Sequence, residues 1–90
     1  MPNPVEVACP ADVWTIVATN VTAGSIKKLD TRPTKYLETY RLTGGAVPTE
    51  ATEGSVCFNK SEYAIIDSPL AAIDVYIMAV SQAGRVRRDV

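Results

Sequence analysis

Ile73-Asp74-Val75-Tyr76-Ile77-Met78-Ala79-Val80-Ser81 is the stretch on which the fold turns. Apart from Asp74 and Ser81 it is apolar, and its longest unbroken run, Val75–Val80, is far short of the ~20 residues a membrane-spanning helix requires. Its β-branched and aromatic side chains suit a pleated strand. Side chains on a strand alternate between faces, so a run apolar at every position needs cover on both. The stretch is therefore expected inside a sandwich core or against another subunit.

Outward from this strand the chain breaks into short segments separated by turn chemistry. Gln82-Ala83-Gly84 reads as a hairpin turn, and Arg85–Val90 as a closing strand. On the other side, Ser55–Asn59 and Glu62–Asp67 read as a strand pair around Asn59-Lys60-Ser61, and Ser68-Pro69-Leu70-Ala71 reconnects to the central stretch. Lys35–Thr43 is the longest further candidate. Neither of its alternating faces is wholly apolar, which predicts an edge or interface strand.

Val13–Thr19 places Trp14, Ile16 and Ala18 on one face and Val13, Thr15 and Val17 on the other. Gly24–Asp30 points Ile26 inward and Lys27 outward, but Lys28 shares the parity of Ile26, which predicts a bulge there. Val5–Ala8 is a first strand ended by Pro10. These counts give an all-β chain, a single antiparallel β-sandwich or jelly-roll-like domain of seven to eight short strands spanning residues 1–90. Val, Ile and Thr supply 26 of the 90 residues and agree with that class.

Two segments stand apart. Residues 1–10, with Pro2, Pro4 and Pro10, form an extended arm, pre-ordered for docking. Residues 44–54 form the one long loop, with little capacity for regular structure. A loop of that length in so small a domain is often functional.

The chemistry the sequence offers is sparse. There are no histidines, which removes Ser-His-Asp and Cys-His triads and imidazole zinc ligands. No phosphate-cradling glycine motif and no G-x-S-x-G elbow occurs. Asp12, Asp30, Glu50 and Glu53 match no calcium-loop spacing and read as solvated charges. No catalytic residue, metal or cofactor is expected. Cys9 and Cys57 are expected as buried free thiols rather than a bridge, and no secretion signal is expected in Met1–Glu6.

Arg85 and Arg87 share a face and could touch phosphate, but a net charge of −1 favours salt bridges or edge protection over nucleic acid. Tyr36 and Tyr40 share a face about 13 Å apart, so a sugar-stacking platform competes with interface packing. With 47% hydrophobic residues and whole strands apolar on both faces, the chain carries more apolar surface than one small core absorbs, which points to self-association or burial on an assembly. The residues expected at partner contacts are Pro4, Val5, Tyr36, Tyr40, Val47, Pro48, Arg85 and Arg87.

The pattern Trp14…Asn20-Val21-Thr22, Tyr36…Thr39-Tyr40-Arg41-Leu42-Thr43-Gly44, Pro48-Thr49…Glu53-Gly54, Ile73-Asp74-Val75-Tyr76-Ile77 and Gly84-Arg85-Val86-Arg87 resembles small virion proteins of tailed bacteriophages. The resemblance touches most of the chain and rests on structural motifs of low specificity. It implies a non-enzymatic capsid decoration, or cement, protein on the exterior of the virion. Such a protein binds the major capsid protein and itself, often as a trimer. Head–tail connector or tail component is the second implication, and a carbohydrate-binding module is the alternative from another class. Neither nucleic acid nor membrane is expected as a partner.

Overall fold

The computed structural model describes residues 5–29, 35–58 and 62–89. Eight strands follow one another: β1 (Val5–Cys9), β2 (Thr15–Val21), β3 (Ala23–Lys28), β4 (Lys35–Leu42), β5 (Ser55–Cys57), β6 (Tyr63–Asp67), β7 (Ile73–Val80) and β8 (Gly84–Asp89). They form two four-stranded antiparallel sheets, ordered β1-β8-β3-β6 and β2-β7-β4-β5. First pairs with last, second with seventh, third with sixth and fourth with fifth. The chain is thus a long folded-back ribbon rolled into two layers, which is the jelly-roll arrangement.

The layers meet over one core. Cys9, Ile26, Ile66 and Val86 come from one sheet, and Val17, Ala18, Tyr36, Cys57, Val75, Ile77 and Ala79 from the other. Odd-numbered residues of β7 face this core. The even-numbered Tyr76 and Met78 point to the opposite face of their sheet, where they meet Trp14 and Leu37 in a second, smaller cluster with Val80 packed against it. The double burial expected for Ile73–Ser81 is therefore met within one chain: the second sheet covers one side, and Trp14 with its surroundings covers the other. That removes this strand as evidence for a partner.

Five further expectations are corrected. Gln82-Ala83-Gly84 does not make a hairpin, because β7 and β8 lie in different sheets. Likewise β5 and β6 are not a pair, and the Asn59-Lys60-Ser61 turn itself lies outside the described residues. A turn signal says that the chain reverses; it does not say which sheet the next strand joins. β4 is an inner strand between β7 and β5, and β8 is an inner strand between β1 and β3. β3 pairs with β8 in unbroken register through Lys28, so no bulge interrupts it. Lys28 keeps its inward parity by extending its ammonium to 5.7 Å from the Tyr36 ring centroid, an apolar stem with a cation over a π face.

The irregularity falls in β2 instead. Its register with β7 shifts between Ile16 and Ala18 and again before Val21. Both Val17 and Ala18 turn inward as a result, which simple alternation forbids. The displaced Val17 carbonyl accepts a bond from Arg88 Nη1 at 3.4 Å. The described part of the N-terminal arm is not free either: β1 is paired with β8 along its whole length, from Val5↔Arg88 to Cys9↔Gly84.

Candidate docking surfaces

The interior holds both thiols in their protonated form. Cys9 and Cys57 are buried and unbridged. Burial pushes the Cys9 thiol up to about 11. Burial, followed by the nearby Glu38 charge, pushes Cys57 higher still. Cys57 Sγ lies 3.3 Å from Glu38 Oε2, and Tyr40, raised to about 12 by burial first and Glu38 second, shares that carboxylate. A thiol and a phenol held protonated around one carboxylate form a satisfied hydrogen-bond set, since a thiolate nucleophile needs its pKa lowered. Among the described residues no group of three or more His, Cys, Asp or Glu is placed to hold a metal.

The long loop is built as a flap over the outer face of β7 and β4. Trp14 Nε1 donates to the Glu50 carbonyl at 3.1 Å. Glu53 Oε2 accepts the backbone N–H groups of Thr49 at 2.7 Å and Glu50 at 2.9 Å, closing a capping box around a 3₁₀ turn at Ala51–Glu53. Its other oxygen is ion-paired to Arg41 of β4. The two backbone bonds, and then the Arg41 guanidinium, hold the Glu53 carboxyl below its ordinary range. Gly54 lies against the indole: a Cβ there would sit 2.9 Å from Trp14 Cζ2 and closer to Cη2. The segment expected to lack regular structure is in fact pinned, because its polar groups close on one another and on β4.

Asp74 secures the start of the same loop. Its carboxylate accepts the Asn20 N–H at 3.0 Å, the Thr43 hydroxyl at 3.2 Å and the Gly44 N–H at 3.4 Å. The Asn20 bond is the main reason its carboxyl sits below the ordinary range. Asn20 and Gly44 both have positive φ, so Asp74 fixes two left-handed corners at one point.

The outer face of the other sheet is polar across its middle strands, with Ile65 exposed at its β6 edge. The register aligns Glu6, Arg87, Lys27 and Tyr63 across β1, β8, β3 and β6. Its cations are engaged: Arg85 with Glu6 at 3.7 Å, Arg87 with Asp89 at 3.1 Å, and Lys27 with its ammonium 5.7 Å from the Tyr63 ring centroid. Arg85 and Arg87 thus share a face, as their spacing implies, but on an inner strand among acidic neighbours.

The eight expected contact residues divide among several places. Pro4 lies outside the described residues. Val5 is exposed at the β1 edge, Val47 is exposed on the flap, and Arg85 and Arg87 lie on the polar face. Two expectations fail. Tyr36 is 1% exposed, edge-on to Phe58 with ring centroids 5.4 Å apart, so it is a core residue. Pro48, at the start of the flap, is buried. With Tyr36 inside, the Tyr36/Tyr40 pair is no sugar platform, although Tyr40 is half-exposed. Sequence reasoning passed over Tyr63 and Ile65 of β6, and Leu70 beyond it. Ile65 is 68% exposed and Leu70 99%. The signal was present in the alternation of β6, where Ala64 and Ile66 point in and Tyr63, Ile65 and Asp67 point out.

No protein-family model, curated protein or solved structure matches this chain.

Proposed function

We propose that this protein works by docking rather than by chemistry: a rigid double-sheet scaffold that presents a pre-formed loop and apolar edges to other proteins. The observation that carries this reading is the pinned flap. Trp14, Glu53 and Arg41 hold residues 48–54 against the sheet while Val47, 60% exposed, stays at the surface. A loop fixed before binding loses less entropy when it docks. The buried, protonated thiols and the polar groups turned to structural bonds agree with a scaffold role.

The setting we propose is the exterior of a tailed-phage head, where the chain would act as a non-enzymatic decoration protein that self-associates and binds the major capsid protein. This finer reading rests on the sequence resemblance. The jelly-roll order adds fold-level support, since that architecture serves in viral shells, though also in lectins and other proteins. Contacts made only with the assembled shell would raise its stability by mass action.

Co-sedimentation with empty capsids tests it. The protein is expected in the capsid pellet, capsids lacking it are expected to melt at lower temperature, and Val47→Asp is expected to weaken pelleting while leaving the free protein's melting temperature unchanged. Binding to neither capsids nor tails would overturn the virion setting.

A further inference from the structure

Each sheet of the sandwich has two edges, and an unguarded edge is a template for pairing with another chain. Three of the four edges are blunted. β2 carries two register shifts, β5 is three residues long, and β1 carries Glu6, ion-paired to Arg85, with Pro4 just before it in the sequence. β6 differs. Its five residues, Tyr63-Ala64-Ile65-Ile66-Asp67, contain no proline, lysine or arginine, and its pairing with β3 runs without a shift.

The hydrogen-bond parity of β6 shows what its outer side offers. Lys28 N–H donates to the Glu62 carbonyl and Ser68 N–H to the Thr22 carbonyl, both at 2.8 Å. Antiparallel ladders alternate, so residues 62, 64, 66 and 68 face β3 while the backbone groups of Ile65 and Asp67 turn away from it. No described strand pairs with that outer side.

We infer that β6 is a homodimerisation edge, at which a second copy of this chain pairs antiparallel about a two-fold axis through Ile65. On that axis Ile65 meets Ile65 of the second copy in a hydrogen-bonded pair, and the two four-stranded sheets become one of eight strands. The choice of occupant follows from charge. One end of β6 carries Tyr63 with the Lys27 ammonium over its ring, and the other end carries Asp67. Antiparallel pairing with register centred on Ile65 sets the Tyr63–Lys27 end beside Asp67 of the second copy, twice by symmetry. Parallel pairing would set like ends together. A five-residue edge buries less than the ~1,600 Å² of a standard stable interface, so the dimer forms at high concentration and dissociates on dilution.

This inference rests on the self-association part of the proposed function and is independent of the virion setting. Sedimentation velocity of the full chain across a wide concentration range tests it. The wild type is expected to move from the 9.7 kDa monomer toward twice that mass. Ile65→Lys, at an exposed side chain, is expected to remain monomeric with an unchanged circular dichroism spectrum. Asp67→Lys is expected to weaken the dimer at least tenfold, and Lys27→Asp combined with Asp67→Lys is expected to restore it by exchanging the two charges. A wild type that stays monomeric throughout would overturn both the inference and the self-association reading. An oligomer that survives Ile65→Lys, or a three-fold mass, would overturn the β6 edge and leave self-association standing elsewhere on the molecule.

Discussion

Trp14 is the residue on which the outer face of the molecule depends. It precedes β2, its ring lies over Tyr76, Leu37 and Met78, and its indole N–H reaches the flap. Truncation to alanine is expected to cost about 3 kcal/mol in urea unfolding followed by circular dichroism, as for other buried aromatic rings. Gly54→Ala is expected to act from the opposite side. Its backbone φ of −110° suits any residue, so the penalty is one of space: a methyl meets the rigid ring and pushes it outward. We expect a loss of about 1–3 kcal/mol, and a red-shifted emission from this sole tryptophan. A Gly54→Ala protein with wild-type emission would show that the ring does not seal the flap. The importance of Trp14 was not visible in its neighbours, because alternation assigned it to the same face as Ile16 and Ala18. Trp14 does share the outer face with Ile16, which lies opposite Tyr76, but the β2 bulge turns Ala18 inward, so the face that alternation gave it was wrong in its third member.

The flap is held by carboxylates, so its closure depends on pH. In the unfolded chain Glu and Asp titrate at roughly 4. Glu53 and Asp74 are both held below their ordinary values when folded. A carboxyl with a lowered folded pKa contributes its stabilisation fully above the unfolded value and loses it as pH falls through the folded one. Acidification below about pH 4 is therefore expected to loosen the loop and shift Trp14 emission to the red. Glu53→Gln keeps an oxygen for the capping box but gives up the charge on Arg41. Its emission is expected to be redder at pH 7 and to change less on acidification. Identical acid profiles for the two proteins would show that Glu53 is not the anchor. The loop was legible as a long Gly- and Pro-bounded segment. Its anchoring was not, because Arg41 and Trp14 approach it only once β4 and the start of β2 lie in the same layer.

For the molecule as a whole, the strand pairs are almost all remote in sequence; among the described residues only β4 and β5 are both neighbours in the chain and partners in a sheet. Closing such pairs orders long loops before any contact rewards them, so refolding is expected on the millisecond-to-second scale of all-β sandwiches. Stopped-flow refolding faster than about 100 µs would contradict that topology. The core also shields both thiols. A disulfide-exchange reagent is expected to titrate Cys9 and Cys57 slowly in the native protein and both rapidly in denaturant. A fast native reaction at either would place that thiol at the surface.

Composition and alternation determined the class of this protein by themselves. β-branched side chains, frequent turn residues and the apolar Ile73–Val80 run leave little besides an antiparallel sandwich, because each is a local property of the chain. The parity of Arg85 and Arg87, and the preference for buried free thiols, were local in the same sense. Only the tertiary structure decided which strands are edges, whether a turn closes a hairpin or crosses between sheets, and what covers the second face of β7. Those depend on contacts between residues tens of positions apart. For that reason Tyr36 and Pro48 moved from the expected surface into the interior, and an outward isoleucine on β6 became the position most open to a second chain.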